Sequence, residues 1–186
     1  MSPSLIFLDT EFTNFHRPQL LSLGMVSQAG EEFYAELDLT TEAAGRALVA
    51  SSNFVLGPEV LGQWGRVPNR AMSAAQIGEQ AGHWLNGQIE RAQSANSNGT
   101  NGSSRLTICS DYHVDFKLLV SALHKARIWA SVIDRLGFQN IYPMLGTAQA
   151  ELAAQQCFES LVKDRGLRPH HALADALALR QSFLAV

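Results

Sequence analysis

Four consecutive large apolar residues, Leu5-Ile6-Phe7-Leu8, run straight into Asp9-Thr10-Glu11. Such a run has the pattern of a strand buried on both faces, in the middle of a sheet. A chain organised on it must therefore cover two faces. The two acids fall at the strand's carboxyl end, two residues apart, so both side chains point to one face with Cα atoms about 6.6 Å apart. Two carboxylates at the edge of a buried strand repel and lose hydration, at a cost of several kcal/mol unless a cation or donors compensate. One metal ion can reach both.

The rest of the chain supplies that cover. With 186 residues, 46% of them hydrophobic and 17% charged, it reads as one soluble globular domain over residues 1–186. Two further strands are predicted at 19–27 and 31–37, joined by Gln28-Ala29-Gly30 as a hairpin. Short helical pieces are expected around 42–50 and 58–63. Ser73-Ala74-Ala75-Gln76 fits a capping box, and Ile77, Ala81, Trp84, Leu85 and Ile89 follow at helical spacing, predicting about five turns. A low-complexity stretch at about 93–104 has no large apolar residue and reads as a flexible surface loop. A fourth strand at 105–110, a helix at 114–125, a short fifth strand at 139–142, a helix at about 147–163 and a last helix from near 171 complete the order. The fold class is α/β, a mixed five-stranded sheet flanked by helices. Leu20, Trp84, Trp129 and Met144 read as core.

Charge and targeting exclude several classes. Lys and Arg total 14 against 17 Asp and Glu, a formal charge of −3, the wrong sign for holding nucleic acid by bulk attraction. The N-terminal apolar run stops after four residues at an acid, so neither a signal peptide nor a membrane anchor is expected. The chain reads as cytoplasmic, with Cys109 and Cys157 as reduced thiols.

Two more segments carry chemistry. In Ser110-Asp111-Tyr112-His113-Val114-Asp115 a strand passes into a helix, the junction where α/β ligand sites form. Asp111 is placed as an N-cap, and Asp115 in the first turn, where the helix dipole favours a carboxylate. In Arg168-Pro169-His170-His171-Ala172-Leu173-Ala174-Asp175, the Ala- and Leu-rich surroundings bury Asp175, which then needs a cation. His171 shares a helical face with Asp175; Pro169 leaves His170 on the cap or loop, free to fold over the site. Geometry does not choose between the histidines.

Together these residues give Asp-x-Glu on a first strand, a strand–helix Asp about one hundred residues on, and His-x4-Asp opening a last helix. The set resembles the DEDDh 3′-to-5′ exonucleases of the ribonuclease H-like superfamily, and the segment from Asn53 to Leu61 is similar to a linker in small stand-alone exoribonuclease-like members. The resemblance implies a ribonuclease H-like sheet, with Asp9, Glu11, Asp115 and Asp175 as the four acids and His170, five before Asp175, as general base. It implies two divalent ions, Mg²⁺ or Mn²⁺, which suit hard oxygen ligands and stabilise the attacking and leaving oxygens of an in-line displacement. The implied partner is the 3′ end of a single-stranded nucleic acid, RNA favoured over DNA, cut to 5′-mononucleotides. Phe12, Tyr112 and His113 are candidates to stack on the terminal base. Small enzymes of this kind are often homodimers, and no membrane partner is expected. Two rival readings are a catalytically silent strand- or protein-binding module and a metal-dependent phosphoesterase on small nucleotides. Setting four acids aside as ligands turns the formal −3 into +1, which suits an enzyme gripping a strand end through its metals.

Overall fold

The structure is a computed structural model that describes residues 4–95, 105–127 and 130–186. The apolar run forms the middle of β1 (Ser4–Phe12). β2 (Leu20–Ser27) and β3 (Glu32–Leu37) follow, β2 antiparallel to β1 and β3 antiparallel to β2, while β5 (Leu106–Ser110) pairs parallel on the other side of β1. β6 (Leu136–Asn140) lies parallel beyond β5, and the two-residue β4 (Ala71–Met72) parallel beyond β3. The sheet is thus six-stranded, in the order β4-β3-β2-β1-β5-β6. The expected fold class holds with one strand more, because β4 is too short to leave a period-two signal. β6 also lies earlier than predicted.

The helices are α1 (Glu42–Val49), α2 (Asn53–Leu56), α3 (Ala74–Ala95), α4 (His113–Lys125), α5 (Ala130–Ile133), α6 (Tyr142–Leu145), α7 (Ala148–Arg165) and α8 (Ala172–Leu184), with a 3₁₀ turn at Leu61–Gln63. Of the predicted piece at 58–63 only that turn forms, and α2 lies before it, at residues not predicted helical. α3 begins as its capping box requires: the Gln76 N–H donates to Ser73 Oγ at 3.4 Å and the Ser73 N–H to Gln76 Oε1 at 3.0 Å. Of the stretch predicted as a flexible loop, 93–95 close α3 and 96–104 lie outside the described residues, as does Trp129. Met144 is exposed rather than core.

Alternation along β1 decides which helix meets which acid. Ile6 and Leu8 pack with Ile77, Ala81, Leu85 and Ile89 of α3 and Leu119 and Leu123 of α4. Phe7, on the other face, packs with Cys109, Ile141 and Leu179, its ring 5.3 Å from that of Phe183 on α8. Burying a side chain of this size contributes about 1.5–3 kcal/mol. Asp9 and Glu11 continue the Phe7 register and so face α8. Asp9 pairs across the sheet with Gly24. A Cβ at Gly24 would overlap the carbonyl of Ala172, so only glycine lets the first turn of α8 settle beside Asp9.

Candidate active site

Five carboxylates meet at the end of β1. Ligand oxygens of Asp9, Asp111 and Asp115 lie within 4.8 Å of one another, and Glu11, Asp175 and a ring nitrogen of His170 form a second such group. β1 supplies Asp9 and Glu11, α4 supplies Asp115, α8 supplies Asp175, and the β5–α4 junction supplies Asp111. Asp115 is buried and accepts a 2.6 Å hydrogen bond from Thr10 Oγ1. Asp111 is not the expected cap: α4 starts one residue later on Tyr112, with no side-chain cap. Its carboxylate turns to the acids instead. Sequence reading placed Asp111 at the right junction with the wrong task.

Burial raises all five, and crowding by neighbouring acids adds to it at Asp9, Glu11, Asp115 and Asp175. The Asp9 carboxyl is pushed well above the usual range, first by burial and then by Asp175, Asp115, Glu11 and Asp111. Burial, then Asp115, lifts Glu11 to about 7. Burial also lifts Asp115 to about 7, against the opposing Thr10 hydrogen bond. Asp175 is raised well above its ordinary value by burial and Glu11, although it accepts the His170 N–H at 2.9 Å. Asp111 is raised by burial. Among the described residues, the ion pairs go to Glu31, Glu32, Glu42 and Glu79, none of them in this group. Hard oxygen donors gathered without a protein cation fit Mg²⁺ or Mn²⁺ by donor type.

The histidines part company. His170 is exposed at φ 64, the left-handed region, which costs a side-chain-bearing residue about 1–2 kcal/mol. Its ring stands edge-on to Phe54 at 5.0 Å and lines the cavity beside the acids. His171, only 2% exposed, stacks on Tyr34 at 4.5 Å, and neither ring nitrogen has a hydrogen-bond partner among the described residues. Burial lowers it to about 4, so it is neutral at pH 7. The backbone turn before α8 sends the two rings apart, His170 to the cavity and His171 into the core.

The cavity in front of the acids has a volume of about 420 Å³. Phe12 and Tyr112, the candidates for base stacking, line it, and Phe15, Phe54 and Tyr142 join them. Phe15, 76% exposed, bridges Phe12 and Tyr112 edge-on at 5.2 and 5.9 Å. Sequence reading missed Phe15, in an irregular segment after β1, and Phe54, in the single-turn α2, both too short for a periodicity to mark a face. His113 is not brought to the cavity; its ring lies 5.0 Å from Phe138.

No family model matches the chain. No curated protein matches it. Among solved structures, it is similar to the nuclease domain of 3′hExo, a DEDDh family member, bound to rAMP: TM-score 0.54, 15% identity, covering 97% of this chain and 90% of that one. The chain has a DEDDh exonuclease fold. Two other 3′-exonuclease structures, one recognising the histone mRNA stem-loop and one full-length, align at TM-score 0.48 with 13% and 15% identity, covering 97% of this chain and 80% of each. On the DEDDh fold the acids stand where β1, α4 and α8 converge.

Proposed function

We propose that the chain is a metal-dependent 3′-to-5′ exonuclease that hydrolyses single-stranded nucleic acid, RNA in preference to DNA, to 5′-mononucleotides. The observation that carries this is one arrangement: five carboxylates, their pKa values raised by burial, at the foot of a cavity with an aromatic rim and His170 at their side. Asp9, Glu11, Asp115 and Asp175 would hold two divalent ions, which when bound neutralise charge on the phosphate and activate the attacking water. His170 accepts that water's proton as general base. The aromatic rim of Phe12, Phe15 and Tyr112 receives the terminal base by stacking. The rAMP in the similar nuclease domain favours a ribonucleotide end.

The test is digestion of matched RNA and DNA strands, labelled at either end, in Mg²⁺, Mn²⁺ or EDTA. Mononucleotides should leave the 3′ end, faster from RNA, and EDTA or Asp9→Asn should stop the reaction. Release from the 5′ end, or an Asp9→Asn variant as active as the parent, rejects the proposal. His170→Ala should slow turnover about 10²- to 10⁴-fold, and His171→Ala far less; the opposite order would reassign the base.

A further inference from the structure

His170 stands on an irregular segment in a costly backbone conformation, yet a general base must be held to within about 0.5 Å. Its amide donates to Asp175 and its ring meets Phe54, but the two residues before it are fixed from elsewhere. Gln63, 4% exposed and 105 residues upstream, accepts the Arg168 N–H at 2.8 Å through Oε1. Its Nε2 donates to the Pro169 carbonyl at 2.7 Å and to the Glu59 carbonyl at 2.6 Å. One amide thus grips both sides of the chain leading into His170. Gln63 is itself anchored to the sheet: its N–H donates to Val60, the neighbouring Trp64 Nε1 donates to the Leu37 carbonyl of β3 at 2.9 Å, and the Gly65 N–H donates to Glu36 Oε1 at 2.9 Å.

We infer that Gln63 is a positioning residue, transmitting the rigidity of β3 through Arg168 and Pro169 to the His170 ring. The inference rests on the proposed role of His170 as general base. Every hydrogen-bonding atom of the Gln63 amide group is used on backbone, so no other side chain of the same length and polarity reproduces the set. A misplacement of 1 Å at a reacting group can cost about a hundredfold in rate.

The experiment is a double-mutant cycle on the full chain. Gln63→Met keeps the length and removes all three bonds; Gln63→Glu keeps the shape and the acceptor for Arg168 and loses both donated bonds. Each should lower kcat by tenfold or more on a 3′-labelled strand, with KM within threefold and an unchanged Mg²⁺ dependence of the melting temperature. In a His170→Ala background the same substitutions should slow turnover less than twofold, because the group they position is gone. An equal loss in both backgrounds, a fall in melting temperature without a fall in kcat, or failure of both variants to fold overturns the inference. A fully active His170→Ala variant instead sinks the general-base role, a result separate from any obtained at Gln63.

Discussion

Removing the charge of Asp115 should make the metal-free protein more stable and less active at once. The folded protein holds this carboxyl at about 7, where an unstrained one titrates near 3.8. Ionising it in the folded state therefore costs about 4 kcal/mol. Between about pH 4 and 7 the folded state binds more protons than the unfolded chain, so stability is highest at the acid end and falls as pH rises through that window. Asn at 115 still accepts from Thr10 and carries no charge. Since Asp115 also raises Glu11 and Asp9, the variant should gain about 2–4 kcal/mol at pH 8 and almost nothing at pH 4. Urea unfolding in EDTA, followed by tryptophan fluorescence at pH 4, 6 and 8, reads this directly. Mg²⁺ at a hundred times its dissociation constant should restore about 2.7 kcal/mol to the parent at pH 8 and less to the variant. A metal-free parent as stable at pH 8 as at pH 5, or an Asp115→Asn variant destabilised at pH 8, would refute the reasoning.

Three other expectations follow from packing. Gly24→Ala forces α8 away from β2 and should cost about 1–3 kcal/mol, with activity falling further than the melting shift explains because Asp175 rides on α8. His171→Phe should keep activity within threefold at pH 7.5. As pH falls from about 6.5 to 4 the unfolded parent gains a proton that the buried ring refuses, so the variant should become more stable than the parent, by up to about 3 kcal/mol in acid unfolding; equal acid sensitivity would count against a neutral His171. The Cys109 thiol, pushed up to about 11 by burial, should resist iodoacetamide in the native protein while the partly buried Cys157 reacts first, as mass mapping would show.

The central strand and its acids were legible because four apolar residues ending on Asp-x-Glu specify both burial and facing in one short segment. α3 was legible through Ser73 and Gln76, whose capping box is local chemistry. What could not be read depends on contacts made across long sequence separations. β4 exists only because β3 offers an edge. Asp111 escapes its capping role because the other acids and the start of α4 on Tyr112 leave it facing them. The separation of the histidines follows from a left-handed residue before α8, and a histidine has no sequence signal for that conformation. Gln63 carries no pattern at all, since two of its three partners are backbone groups more than a hundred residues away. Phe15 lies beyond the end of β1, where alternation stops.

The pairing of β1 also bears on the order of events during folding. Its register with β2 closes through a short connection, whereas its partner β5 lies about a hundred residues further on, and α8 comes later still. Local pairing is fast and distant docking slow, so Asp9 and Glu11 are expected to face water until α4 and α8 arrive. The repulsion among the acids would then arise late in folding. A divalent ion that relieves it would act after the folding barrier, lengthening the lifetime of the finished molecule while leaving its rate of formation nearly unchanged; stopped-flow limbs with and without Mg²⁺ should show the unfolding arm alone shifting. The convergence of β1, α4 and α8 on one cluster of acids would thus make ion occupancy a clock on how long the fold endures.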